Sequence, residues 1–511
     1  MRVSESKPQV AQQRDVAPSA PPKPAVATEE PSRLANAAVR KAEDTFEAKP
    51  AAAPQTTANT VATTEAQLSA QAAKGPEGDF AARRAQHAVK VEQGVPPKTY
   101  DGMYIGADGY AYPPSKFKAS EVPPFKPNNP PVPQPAPTQY YVNGVLTWPS
   151  GSQQAADGTF LNPEQSVQAD GEAQKIANTT GTNVVLIYNA TESEVADFAQ
   201  AAGDVNRVGN NPAATTLANA IYDDVKAGRE VRVSGYSQGG AITARALHDV
   251  RDRLYNDTGG VLGHLPGVGE GNRRELDRLM GQIKVTTYAG AGANFPDGPS
   301  YDHYVNSQDP VPNFAGVGSA NLSHPGRGAR VHTFDEAGAP GAALLSPEGV
   351  HGIGHYLEAQ RARQAYDKTV SNAPPELRAT LGKAGMERVQ ELTQELGLSP
   401  TQLYDVARNN PSLFTRGEGN GLVLNSFVDM AKDFGLKGDS AAGLLQALGK
   451  GTEDSEYALN VFMHNVQRLS PQPNTKQEWL QALGAEARRA GAPDDYRRAF
   501  ANAEAYLRAR D

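Results

Sequence analysis

The sequence predicts an α/β protein: a mainly parallel sheet with helices on both faces, preceded by a disordered Pro/Ala-rich leader and followed by an all-α region. Three observations carry this. Between Tyr140 and Asp367, runs of strand length alternate with stretches of helix length, the rhythm of βαβ units in a parallel sheet. Beyond Asn372 strand signals give way to successive helical stretches. At the other end, 21 of the 39 prolines fall in residues 1–137, so the low apolar fraction of 39% is a local dilution of an ordinary core.

Residues 1–98 are rich in Ala, Pro, Gln, Thr, Glu and Lys. Such a segment buries too little apolar surface to offset its chain entropy, and it reads as a disordered leader in which only Leu34 to Ala48 suggests a transient helix. In TYDGMYIGADGYAYPPSKF (99–117), Asp108-Gly109 between aromatic runs signals a hairpin. EVPPFKPNNPPVPQPAP (121–137) is either a polyproline-like linker or an ordered strap against the next domain. The α/β domain is expected over residues 138–370. Its strands are YYVNGVLT (140–147), NVVLIYN (183–189), EVRVSGYS (230–237), KVTTYAG (284–290), HYVNS (303–307) and RVHTF (330–334). The continuous apolar centre of NVVLIYN suits a strand covered on both faces. Helices are expected from Ala214 to Ala227, where Leu217, Ile221 and Val225 recur at every fourth position, from about Gly239 to Arg253, and from about Ile353 to Asp367. Residues 375–511 read as an all-α domain, with Gly397 and Gly435 suited to helix C-terminal turns.

Composition narrows function. The absence of Cys excludes disulfide scaffolds, thiolate metal sites and a cysteine nucleophile. A net charge of −8 and a pI near 5.7 give no global attraction to nucleic acid or to an anionic membrane. No apolar run reaches 18 residues, so no spanning helix is expected. The start, MRVSESKPQV, lacks the apolar stretch of a signal peptide, so the expected location is cytoplasmic, or outside the cell by a route without a cleaved signal.

The chemistry concentrates in Val231-Arg-Val-Ser-Gly235-Tyr-Ser237-Gln-Gly239-Gly240, a G-x-S-x-G pattern. A serine at a sharp strand-to-helix turn needs small neighbours two residues away on either side, and the turn lifts its hydroxyl clear of the sheet. The apolar strand before it and the amphipathic helix after it supply that setting, so Ser237 is the candidate nucleophile. The N–H of Gln238, at the positive end of the following helix, is the candidate oxyanion donor. The acid and base of such a site follow in the order acid, then His. Asp309 lies just past a strand and before Pro310, where open α/β sheets place their sites; Asp302 and Asp335 are its rivals. For the base, His351 sits in a loop after Ser346-Pro347-Glu348-Gly349, and His355 in the first turn of a helix is the alternative; His303 and His332 lie in expected strands and read as structural. A second oxyanion donor is expected near Asn143-Gly144-Val145, from the N–H of Val145 or a neighbour.

GYSQGG (235–240) resembles the nucleophile elbow of α/β-hydrolase lipases and esterases, and is similar to that of cutinases and their relatives. Downstream, Thr287-Tyr288-Ala289-Gly290 followed by Asn306-Ser-Gln-Asp309-Pro310-Val311-Pro312 resembles class 3-type lipases, in which the Asp of Asp-x-Val-Pro is the acid. His351 and Tyr356 match a His-to-Tyr spacing that closes the domain in related sequences. The resemblance covers roughly residues 140–365. Asn143-Gly144 stands where lipases usually have His-Gly, and the lack of Cys separates the chain from disulfide-bearing cutinases. The resemblance implies an α/β-hydrolase fold and cleavage of a lipid or acyl ester through an acyl-enzyme, by Ser237, His351 and Asp309, with no metal or organic cofactor. Residues 256–282, which mix Gly with Val261, Leu262, Leu265 and Val268, read either as a lid or as a plain surface insertion. Two other readings stay open: an exported effector or toxin whose helical region binds a protein partner, and a catalytically silent hydrolase-like binding protein.

Overall fold

The computed structural model describes residues 76–92, 94–145, 147–149, 168–190, 211–264, 269–319, 323–414, 420–451 and 453–511. Most of the expected leader, residues 1–75 with the helix considered at Leu34 to Ala48, lies outside the described residues.

The described residues form a mixed α/β structure on one nine-stranded sheet. Its strands are β1 (Val89–Lys90), β2 (Tyr104–Ile105), β3 (Tyr110–Tyr112), β4 (Thr138–Val142), β5 (Asn183–Ile187), β6 (Val231–Tyr236), β7 (Ile283–Tyr288), β8 (Ser300–Asn306) and β9 (Arg330–Phe334). Their order is β1-β3-β2-β5-β4-β6-β7-β8-β9. The six strands from β5 to β9 in this order are mutually parallel. The hairpin β2–β3 joins antiparallel at the β5 edge. The chain leaves β4 toward β5 on one side and then returns to lay β6 on the other, so the strand order reverses at β4.

Side chains alternate across the sheet, and both faces are covered. Tyr140, Val142, Val185, Ile187, Val233 and Val285 face one core, closed by helices α3 (Pro212–Lys226) and α4 (Gln238–Asp257) through Leu217, Ile221, Ile242 and Leu247. Tyr141, Val184, Leu186, Tyr236, Tyr288 and Tyr304 face the other, closed by α2 (Ala169–Thr180) and the first half of α7 (Ile353–Asn372). Each element expected between residues 183 and 372 is present, with ends shifted by a few residues.

One reading needs correction, and two open alternatives are decided. Residues 76–92 and 94–98, placed in the disordered leader, are folded: helix α1 (Pro76–His87) packs Phe80 on Tyr112 and Phe117, with ring centroids 6.2 and 6.0 Å away. Arg83 also pairs with Glu121 at 2.6 Å. This polar helix is held by the aromatic face of the hairpin, which its own composition does not reveal. Of the two readings of the Pro-rich stretch, the ordered strap is the one observed. Phe125 is buried and exchanges two 2.8 Å backbone hydrogen bonds with Val184. The described part of residues 256–282 fits the plain surface insertion rather than the lid. After a single turn (Gly260–Gly263) they form α5 (Glu270–Met280), which buries Leu276, Leu279 and Met280 against α4 and the sheet. They follow the far end of α4, whose 20 residues span about 30 Å from Ser237. Leu265 and Val268 lie outside the described residues.

Beyond α7, the described residues of 375–511 are largely helical: α8 (Pro375–Gln390, broken at Gly385), α9 (Pro400–Asn409), α10 (Asn420–Asp433), α11 (Asp439–Leu448), α12 (Ser455–Val466), α13 (Lys476–Ala487) and α14 (Asp494–Arg508). They enclose their own core around Leu392, Phe427, Phe462, Trp479 and Phe500, which the second half of α7 joins through Tyr366. Gly397 and Gly435 adopt φ of 63° and 65° at helix ends, as their positions suggest.

Candidate functional site

Ser237, Asp309 and the Asn143-Gly144-Val145 turn follow the C-terminal ends of β6, β8 and β4, and Ser237 stands beside the reversal at β4, where open α/β sheets leave a crevice. Ser237 follows β6 directly, with φ 54° and ψ −122°. A non-glycine residue in that region is strained and persists only where its surroundings hold it. Here they do. Ser237 N donates to Tyr288 O at 3.0 Å, and its carbonyl accepts from Gly240 N and Ala291 N at 3.0 and 2.9 Å. The glycines are required by contact. A Cβ on Gly239 would sit 2.1 Å from Val142 O, and one on Gly235 would sit 2.4 Å from Gly239 O.

Asp309 caps α6 (Pro310–Ala315), its Oδ1 accepting from Val311 N at 2.9 Å. Its other oxygen, Oδ2, accepts from His351 Nδ1 at 2.6 Å and from the Tyr356 hydroxyl at 2.5 Å. His351 lies in the loop after β9, and its ring stacks on Tyr236 with centroids 5.3 Å apart. The Tyr236 hydroxyl donates to His351 O at 2.7 Å. Tyr236 immediately precedes Ser237, so this contact brings the imidazole to the elbow. Ser237, Asp309 and His351 are 4%, 0% and 1% exposed. With Nδ1 directed at a carboxylate, the second nitrogen, Nε2, is buried and has no partner among the described residues. Burial pushes the Tyr236 and Tyr356 phenols well up, so both stay protonated donors.

The rival residues are engaged elsewhere. Asp302 binds Arg330 and His332 at 2.6 and 2.7 Å, and Asp335 accepts from Gln308 at 2.6 Å. His355 binds Glu336 Oε1 at 2.6 Å rather than Asp309. His303 is buried between Thr287 and Pro325 O, and desolvation pushes its imidazole down to about 4, so it is neutral and structural.

The residues expected to form the oxyanion region lie around Ser237. Gln238 N–H begins α4 and has no intrahelical acceptor. Its side chain accepts from Asn189 Nδ2 at 2.6 Å. A Cβ on Gly144 would lie 2.8 Å from Ser237 Cβ, so the backbone after β4 passes directly over Ser237. The Asn143 side chain is unavailable to a substrate: it donates to Gly144 O and Asn189 O and accepts from Asn189 N, all at 2.9 Å. Asn143 therefore ties two loops together, and Val145, half-buried in the same turn, remains a candidate for the second donor.

Sequence reasoning missed Tyr236 and Asn189, and took Tyr356 only as a spacing marker. Tyr236 occupies a variable position of the elbow pattern, and Asn189 carries no motif, so neither had a local signal. An open cavity of about 920 Å³ lies in the helical region, lined by Arg468, Gln481, Arg489 and Tyr496 among others; it shares no residue with this site. No protein-family model, curated protein or solved structure matches this chain. No helix among the described residues is long and apolar enough to cross a membrane.

Proposed function

We propose that the chain is a serine hydrolase of α/β-hydrolase type that cleaves carboxylic esters, of lipids or other acyl groups, through an acyl-enzyme. The observation that carries this reading is the buried His351–Asp309 pair, drawn from two loops against the residue preceding a strained serine. Ser237 Oγ attacks the ester carbonyl while His351 Nε2 takes its proton, and Asp309 holds the tautomer and stabilises the imidazolium. The oxyanion is received by Gln238 N–H and a backbone N–H near Val145. Nε2 returns the proton to the leaving alcohol, and water repeats the sequence on the acyl-enzyme.

A fluorophosphonate probe tests this with no knowledge of the substrate. Wild type should be labelled at one site. Ser237→Ala should lose the label, and His351→Ala and Asp309→Asn should label about 10⁴-fold more slowly. Equal labelling of Ser237→Ala, or none of wild type, would leave the silent binding protein as the better reading.

A further inference from the structure

We propose that Tyr356 is a positioning residue of this site: its hydroxyl fixes the Asp309 carboxylate toward His351 and shares its charge, and so sets the pH range in which His351 can act as the base. This rests on the serine-hydrolase reading but concerns a residue outside the expected triad. The Asp309 carboxylate is wholly buried, and a buried carboxylate is costly unless its lone pairs are filled. Three donors fill them: Val311 N on Oδ1, and His351 Nδ1 and Tyr356 OH together on Oδ2. Tyr356 is itself immobilised. It is fully buried and meets Phe334 edge-on at 5.1 Å.

Two donors on one oxygen compete. A hydroxyl that draws charge from Oδ2 leaves less of it to favour a proton on His351. Without the hydroxyl, His351 becomes the only donor on Oδ2, the protonated imidazole is held more tightly, and a higher pH is needed to free the base. The titratable groups facing the pair are Tyr236 from β6 and Tyr356 from α7; Glu172 of α2 lies behind Tyr236, and Glu336 is taken up by His355.

The test is the rate of fluorophosphonate labelling of the full chain from pH 5 to 9. For Tyr356→Phe the acid limb should move up by about half to one pH unit, with the rate at the alkaline plateau within about threefold of wild type. Tyr288→Phe removes another buried hydroxyl bound to α7, the one donating to Gln360 at 2.7 Å, without touching Asp309. It should leave the limb in place. Fluorotyrosine at position 356, a stronger donor of nearly the same shape, should move the limb down, and it keeps the test open if the Phe variant misfolds. A uniform loss of rate with an unmoved limb in both Tyr356 replacements would reduce Tyr356 to packing. A wild type that is not labelled at all would remove the hydrolase reading and this one with it.

Discussion

At the scale of single residues, the site is built by close approach as much as by its reactive groups. Gly144 is the sharpest case: an added Cβ would meet Ser237 Cβ at 2.8 Å, Tyr236 Cδ1 at 3.3 Å and Ser237 Oγ at 3.4 Å. Gly144→Ala should therefore push the Ser237 side chain aside. A displacement near 1 Å costs about 100-fold in rate, while overpacking of this kind costs about 1–3 kcal/mol of stability. We expect a folded variant, by its melting curve, that labels at least tenfold more slowly; an unchanged labelling rate would mean that the loop moves freely and does not frame the serine. Ser237, Asp309 and His351 were legible because each carries a local mark: glycines on both sides of the serine, a strand end before Pro310, and a loop histidine near the end of the sheet. Asn143, Tyr236 and Asn189 were misread or missed because their roles exist only across the sheet. Asn143 and Asn189 are 46 residues apart, and their mutual bonds join the turns after two adjacent strands.

At the scale of elements, α2 shows why a helix can escape a periodicity search. Its buried face includes Asp170, Glu172, Gln174 and Asn178 beside Ala173, Ile176 and Ala177, so no apolar stripe marks it. The polar groups hold the strap and sheet. Gln174 donates to Lys126 O at 2.7 Å, and Asn178 Oδ1 accepts from Asn128 N at 2.8 Å. Glu172 Oε2 accepts from the Tyr141 hydroxyl at 2.5 Å. Desolvation pushes the Glu172 carboxyl up to about 8 from an ordinary value of 4.5. The folded state thus prefers the protonated acid. Its contribution is full below about pH 4.5 and is lost as pH rises through about 8, at a cost on the order of a few kcal/mol. Glu172→Gln keeps an acceptor for Tyr141 and cannot ionise. Its melting temperature should match wild type near pH 4.5 and exceed it increasingly toward pH 8. Parallel melting curves across that range would show that Glu172 carries no such strain.

At the scale of the molecule, the domain boundary expected at residue 138 cuts through the sheet. The alternation of strands and helices marks where the parallel part begins, but it is blind to short antiparallel strands and to a strap with few periodic residues. The segment before Thr138 contributes the β5 edge partner, the Phe125–Val184 bridge, and the buried side chains of Tyr100, Tyr104, Ile105, Tyr112, Phe117 and Phe125. Burying a large apolar side chain stabilises by about 1.5–3 kcal/mol, so losing these removes stability comparable with the whole margin of an ordinary domain, about 5–15 kcal/mol. The helical region keeps a separate core, which the second half of α7 joins through Tyr366. A fragment of residues 76–372 should accordingly melt cooperatively and label with fluorophosphonate at close to the full-length rate. A fragment of residues 138–372, which retains Ser237, Asp309 and His351, should fail to fold and should not label. If the shorter fragment instead melted like the longer one, the hairpin and strap would be accessory coverings. If only the full chain labelled while residues 76–372 stayed folded, the helical region would have to take part in forming the site.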